Sequence, residues 1–498
     1  MYARRSALVA VAVALLAACT VGRSAESSLP TFTFVKCPQD VQIQLLVRHS
    51  CAYLMVPQDR SQPHGRTLKL FVVKIPPPDE RPRPDSVLIL GGEIGAFPDY
   101  GKLQAEAARF HRVVYVLDQR GTGHSRPELT CPEVNRVSTE GLVAPSGDPS
   151  LRQRFLAAVS ECRSRLLASG IDPSDFHLAA MAADVDDLRR ALDVASWNLA
   201  AYGSWSRLAF EVIREYPDHV RAAYLDSPQL PQLDEPTEAA LGTRIVLNEL
   251  FATCWADQRC RAAYPHLRQR WRDAVARLQA DPIEAHTRYG RVLVDGGSFV
   301  RAIQAMLGED DAELPRFPAL ITEANRGRVD IEVSTTLATH GSLCTGYRYG
   351  CFPHFSTGVY LSVLCRDEAP FVDASALRRA ARGLPGLTEG LGTSPYLAAC
   401  SVWRVPPAAP RLHAPVNATV PVLMISGQFD PFSPPRLTTE LGRPLVNSFA
   451  IEVPGLNHNP FQYTGCQVRI RDTWLERPSS PPTGTRCLRR PSLVFTMS

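Results

Sequence analysis

Between Cys51 and Pro228 the hydrophobic positions fall into short unbroken runs, separated by longer stretches in which they recur every three or four residues. The runs CAYLMVP, TLKLFVVKIP and DSVLILGG predict strands. Residues 113–117 of RVVYVLDQRGTGHSRP are apolar at every position, which predicts a central strand covered on both faces. Residues 151–167 and 183–194 predict helices, the second with Val185, Leu188 and Leu192 on one face. WNLAAYGS then reads as a strand, SRLAFEVIREY as a helix and RAAYLDSP as another strand. Strands alternating with helices require a parallel sheet with both faces covered.

After Pro228 the pattern changes. Residues 230–410 read as mostly helical, with ALGTRIVLNELFATCWADQRC and HLRQRWRDAVARLQA as the clearest amphipathic segments, broken by Gly- and Pro-rich loops. A buried-type strand returns in VPVLMISGQFDP, followed by a helix from Arg436 and the strand SFAIEVPG. The expectation is an α/β core, residues 37–229 and 411–498, interrupted by a helical cap at 230–410. No internal repeat is visible.

Composition adds compartment and excludes one class of partner. Of the 498 residues 45% are hydrophobic and 21% charged, as in ordinary globular proteins, and a scattered net charge of +4 leaves no footprint for nucleic acid. Arg4 and Arg5 precede an apolar run at 7–18 that is too short to span a bilayer permanently, so residues 1–19 are expected to be a secretory signal. The run ends in Leu16-Ala17-Ala18-Cys19, which resembles a bacterial lipobox. Lipidation of Cys19 would anchor the exported chain to the membrane through a tether at 20–36; the alternative is a cut after Ala18 that leaves a free thiol.

Beyond Cys19, twelve cysteines remain, an even number for an exported chain, and disulfides are expected. Short spacings suggest Cys37 with Cys51, Cys254 with Cys260, and Cys344 with Cys351. Cys131 with Cys162, Cys365 with Cys400 and Cys466 with Cys487 complete the set. None of them has the paired spacing or nearby histidines of a zinc site, and neither metal nor cofactor is expected.

Candidate chemistry lies at strand ends. Asp430 follows one late strand in GQFDPFSPP, and His458 follows the next in PGLNHNP. In open α/β sheets functional groups gather beyond the carboxyl ends of the strands, so both are expected at one edge. A serine at the end of the WNLAAYGS strand would complete the order Ser, Asp, His of the α/β-hydrolase triad. A serine hydroxyl needs a base, the base needs a carboxylate to fix its tautomer, and the developing oxyanion needs preorganised N–H donors. Donors are expected from the backbone after the nucleophile and from Gly91-Gly92 in LILGGEIG.

Which residue is the nucleophile stays open within AAYGSWSRLAF. A nucleophile elbow wants small residues two before and two after the serine. Ser204 has Ser206 ahead but Tyr202 behind; Ser206 has Ser204 behind but Leu208 ahead; with Gly203 in the slot there is no nucleophile. A one-residue adjustment in favour of Ser204 would need a bulge near Ala200-Ala201 and a tightened helix start.

Several motifs together resemble the secreted tripeptidyl aminopeptidase and proline iminopeptidase branch of the α/β hydrolases. GGEIG resembles the H-G-G-P-G oxyanion loop of that family, DQRGTGHS is almost unchanged, and RLAFEVIREYPDHVRAAYLDSP follows the elbow. GQFDPFSPP resembles the acid motif, and PGLNHNP with Cys466 the base motif. Leu90 and Glu93 replace His and Pro of the oxyanion loop, and the elbow departs from Y-G-x-S-Y-G-[TG]-R-L-A such that an ungapped count puts the slot on Gly203.

The resemblance implies an α/β-hydrolase core with an inserted cap, and a serine exopeptidase acting on short peptides or an esterase acting on small acyl substrates. It assigns catalysis to Ser204, Asp430 and His458, and oxyanion donors to Gly92 and Trp205. Glu93 and the cap residue Glu368 become candidates to receive a substrate amino group. The competing expectation is an inactive relative that keeps the pocket for binding.

Overall fold

The computed structural model describes residues 30–77, 83–91, 94–96, 99–309, 311–340, 355–387, 395–458, 465–488 and 493–497. At its centre nine strands pair in the order β1-β2-β3-β5-β4-β6-β7-β10-β11. They are β1 (Phe32–Val35), β2 (Ser50–Pro57), β3 (Thr67–Ile75), β4 (Arg83–Leu90), β5 (Arg112–Leu117), β6 (Trp197–Tyr202), β7 (Val220–Asp226), β10 (Val422–Gly427) and β11 (Ser448–Val453). β1, β2, β3 and β5 are joined by antiparallel pairings, and from β5 through β4, β6, β7 and β10 to β11 every pairing is parallel.

The unbroken apolar runs have a simple cause. Successive strand residues point to opposite faces, and both faces here are covered. Leu88, Leu90, Leu199, Ala201 and Met424 belong to one core with helices Pro149–Ala168, Leu178–Ala191 and Ser206–Glu215. Val87, Ile89, Ala200, Leu423 and Ile425 belong to the other, with helices Tyr100–Ala107 and Gly465–Glu476. The polar exceptions, such as Asn198 and Ser426, are buried and hydrogen-bonded.

The N-terminal boundary and the cap differ from expectation. Residues 32–35, read as tether, form edge strand β1, paired with β2 and clamped by the Cys37–Cys51 disulfide. Cys19 and the signal segment lie outside the described residues. The insertion after β7, expected to be mostly helical, carries in addition a hairpin formed by β8 (Ile283–Thr287) and β9 (Gly290–Val294). It also divides. Helices Glu235–Ala256, Leu267–Ala280, Gly296–Glu309 and Phe317–Asn325 build a core of their own around Trp271 and Phe299, whereas Val359, Leu361, Tyr396 and Trp403 pack into the main core.

Disulfides join Cys37–Cys51, Cys131–Cys162, Cys254–Cys260, Cys365–Cys400 and Cys466–Cys487. The expected Cys344 and Cys351 pair lies outside the described residues. The DQRG turn after β5 is architectural. Asp118 accepts from the Tyr100 hydroxyl at 2.6 Å and the His124 N–H at 2.8 Å, and Arg120 grips Asp184 through two contacts of 2.7 Å. The Arg120 and Asp184 side chains are fully buried. Asp184 also pairs with Arg60, so Arg120→Ala leaves that charge partnered but strands the buried carbonyls of Gln58 and Asp175; it is expected to lower stability by about 1–3 kcal/mol in urea unfolding.

Candidate active site

β6 keeps an even register to its end, from Asn198↔Ala222 to Tyr202↔Asp226. The bulge expected near Ala200-Ala201 is therefore absent, and the register shift sits at the strand start, between Trp197 and Asn198. Burial explains the difference: a slip would exchange Leu199 and Ala200 between two filled cores. The whole adjustment falls in the turn. Gly203 adopts φ +55°, a conformation that costs a glycine little. Gly203–Trp205 then tighten into a 3-10 turn before helix Ser206–Glu215.

This places the elbow hydroxyls unambiguously. Ser204, 7% exposed, accepts the Ile94 N–H at 3.1 Å and so faces the loop after β4. Trp205 is buried in the first helical turn, where backbone N–H groups lack intrahelical acceptors. Ser206 is structural: its hydroxyl donates to the Gly203 carbonyl at 2.7 Å and accepts the Gln229 N–H at 2.8 Å. Of the oxyanion loop, Gly91 follows β4 directly, while Gly92 and Glu93 lie outside the described residues. Gly95, at φ +92°, accepts the Ser356 N–H at 2.8 Å, which ties this loop to the insertion.

Asp430 and His458 meet as expected. His458 Nδ1 lies 3.0 Å from Asp430 Oδ1, with the side chains 2% and 0% exposed. The same oxygen accepts the N–H groups of Phe432 and Ser433, both at 2.9 Å, so Asp430 also holds its own turn. The two loops are held backbone to backbone. The Gln428 and Phe429 N–H groups donate to the Val453 and Leu456 carbonyls, and a Cβ on Gly427 would overlap the Asn457 and Leu456 carbonyls. Helices of the insertion close over the acid loop: a Cβ on Gly242 would overlap the Pro431 carbonyl, and one on Gly308 the Phe432 ring. The Phe432 ring in turn packs edge-on against His458, with centroids 5.0 Å apart. Nδ1 is the ring nitrogen turned to the carboxylate, the arrangement in which a catalytic imidazole works through Nε2.

Glu368 does not sit as a substrate receptor. Its side chain is 3% exposed, Oε1 pairs with Arg207 at 3.2 Å, and Oε2 accepts the Glu235 N–H at 3.2 Å. Both oxygens are engaged inside the protein, which corrects the expectation of a carboxylate presented to a cleft. Arg207 also pairs with Glu238 at 2.9 Å. Burial pushes the carboxyls up, Glu238 to about 8, Glu368 to about 7 and neighbouring Asp367 to about 8. Sequence reasoning missed this cluster. Its one signal was the presence of Arg207 and Glu211 among the largely apolar positions of SRLAFEVI, all eight of which the structure buries.

A mostly parallel sheet with an acid and a histidine on the loops after neighbouring strands, and a strand-to-helix turn at the same end of the sheet, is the arrangement of the α/β-hydrolase fold. Residues 391–487, which hold Asp430, His458 and the last disulfide, match the family model described as TAP-like protein. Serine protease Hip1 of Mycobacterium tuberculosis (strain ATCC 25618 / H37Rv) is 24% identical over 466 residues, covering 88% of this chain and 87% of that protein. Tripeptidyl aminopeptidase of Streptomyces lividans is 27% identical over 208 residues, 37% of this chain and 36% of that protein. Among solved structures, proline iminopeptidase of Mycobacterium smegmatis covers 86% of this chain and 98% of its own at 13% identity and a TM-score of 0.39, too loose to build on. The chain thus has the α/β-hydrolase fold with a TAP-like C-terminal region, and over most of its length it is similar to a serine protease.

Gly427→Ala is expected to push the acid and base loops apart. The overlap should cost about 1–3 kcal/mol in urea unfolding, and the NMR resonance of the His458 Nδ1 proton should lose its hydrogen-bonded downfield position.

Proposed function

We propose that this chain is an exported serine exopeptidase, held at the membrane through Cys19, that removes N-terminal residues or short peptides through an acyl-enzyme. The observation that carries the reading is the buried 3.0 Å contact between His458 Nδ1 and Asp430 Oδ1, on the sheet edge where the elbow also ends. In the mechanism, His458 Nε2 takes the Ser204 proton as Oγ attacks the scissile carbonyl. Asp430 fixes the tautomer and stabilises the imidazolium. The Trp205 N–H, with that of Gly92, would receive the oxyanion. His458 then returns the proton to the leaving amine, and water repeats the sequence to free the acid.

Glu93 is assigned to the substrate's free α-amino group, a role that Glu368 cannot share. The names of the relatives, serine protease Hip1 and tripeptidyl aminopeptidase, support peptide cleavage. The five disulfides support an oxidising compartment outside the cytoplasm.

A second reading rests on one observation. In an elbow of this fold the strained residue is the nucleophile itself, and here that backbone position belongs to Gly203 at φ +55°. On this reading the cleft binds peptide and does not turn it over. The deciding experiment incubates the full chain with unblocked and N-acetylated short peptides and analyses products by mass spectrometry. The proposal predicts N-terminal fragments from unblocked peptides only, lost in Ser204→Ala and reduced about 10⁴-fold in Asp430→Asn. Binding without cleavage would establish the second reading. Cleavage only of small esters would replace the peptidase by an esterase.

A further inference from the structure

Arg207 is the first charged residue after the elbow, and its guanidinium is wholly enclosed: its side chain and those of Glu238 and Glu368 are each 3% exposed. It makes three contacts in three directions. One nitrogen donates to the Leu233 carbonyl at 2.9 Å and to Glu238 Oε2 at 2.9 Å, and another lies 3.2 Å from Glu368 Oε1. Leu233 precedes and Glu238 lies within helix Glu235–Ala256, at the start of the insertion. Glu368 ends the π-turn Leu364–Glu368, which the Cys365–Cys400 disulfide pins to helix Pro395–Trp403 near its end. One side chain therefore binds the elbow helix to both arms of the insertion, and Glu368 closes the ring by accepting the Glu235 N–H.

The charges do not balance. One guanidinium faces two carboxylates. From helix Ser206–Glu215, Glu211 is itself paired with Arg214 at 3.1 Å. From the insertion come Asp234, which caps its helix through the Thr237 N–H, Glu235, and Asp367. Arg366 lies 3.9 Å from Asp367 and Arg411 3.8 Å from Glu211, while His413, disfavoured as a cation by its burial, lies 3.9 Å from Glu368 Oε2 and donates its ring N–H to the Asp367 carbonyl at 2.6 Å. With both glutamates ionised, the cluster buries an uncompensated negative charge, which is costly away from water. A small cavity lined by Arg207, Glu211, Arg214, Glu368 and His413 borders the cluster.

We propose that Arg207 is a positioning residue that locks the Ser204 turn to the insertion through Glu238 and Glu368, and that the lock holds fully only while one of those carboxylates carries a proton. The inference concerns the same site as the function proposed above and depends on that reading only for its effect on catalysis. Mechanically, loss of the proton sets two like charges against each other across one guanidinium. The arms of the insertion separate, and the helix that begins beside Ser204 loses its tether. Because the unfolded glutamates ionise near the ordinary pKa of about 4.5 and the folded ones only near 7 to 8, the folded state holds more protons between those limits. Stability accordingly falls as pH rises through that window.

The test follows the full chain from pH 5 to 9 by thermal melting and by hydrogen exchange corrected for the intrinsic rate, in wild type, Glu238→Gln, Glu368→Gln and Arg207→Lys. In wild type the melting temperature should fall steadily between about pH 5 and 8, and exchange in residues 203–215 and 230–245 should quicken over the same range. Either glutamine variant should flatten both profiles, because its remaining glutamate pairs one to one with Arg207. Arg207→Lys cannot span both carboxylates with one point charge, and should show quickened exchange already at pH 5. A melting profile equally steep in the glutamine variants, or exchange that quickens elsewhere but not in these two segments, overturns the proposal. Neither readout needs turnover, so a chain that fails to cleave peptides would refute the function and leave this inference to its own result. If peptides are cleaved, their kcat should fall about 10-fold or more in Arg207→Lys at pH 7, with KM changing less.

Discussion

The burial of β6 on both faces is the constraint from which the site follows. Leu199 and Ala200 fill opposite cores, so the strand has one register, and its end falls at Tyr202. Everything unusual about the elbow is forced into the next three residues. Gly203 takes the left-handed conformation, and Ser204 lies in the 3-10 turn that leads into the helix, with its hydroxyl on the Ile94 N–H. The strain that the fold ordinarily loads on a nucleophile has been moved to the one residue type that bears it at little cost.

Around that turn the remaining parts fit closely. The acid and base loops meet backbone to backbone at Gly427, and the insertion closes on them through glycines at 242 and 308. These contacts leave no space for side chains, so the Asp430–His458 pair is positioned by the main chain as much as by its own hydrogen bond. Arg207 supplies the corresponding fixation on the other side of the elbow. The insertion is therefore part of the site's framework as well as its cover.

Much of this was legible in the sequence because it follows from period and position. Strands buried on both faces read as unbroken apolar runs; Asp430 stands just beyond one of them, and His458 just beyond the partly exposed edge strand β11. What was not legible depends on tertiary partners. β1 is short and only half-buried, so its residues resembled a tether until paired with β2. The β8–β9 hairpin is largely solvent-facing and lacked a strong alternating signal. Glu368 looked like an available carboxylate because nothing in its neighbourhood along the chain announces Arg207, more than a hundred residues away. The bulge expected near Ala200-Ala201 failed for a related reason: local rules priced the turn, while the two cores fixed the strand.

The central claim is that a displaced serine still works as a nucleophile beside an intact Asp–His pair. Its most direct measurement is reaction of the folded full chain with a fluorophosphonate probe, followed by mapping of the modified peptide by mass spectrometry. The account predicts a single adduct on Ser204, absent in Ser204→Ala and strongly slowed in His458→Ala. No adduct on well-folded protein, or an adduct at another residue that survives both substitutions, would contradict it.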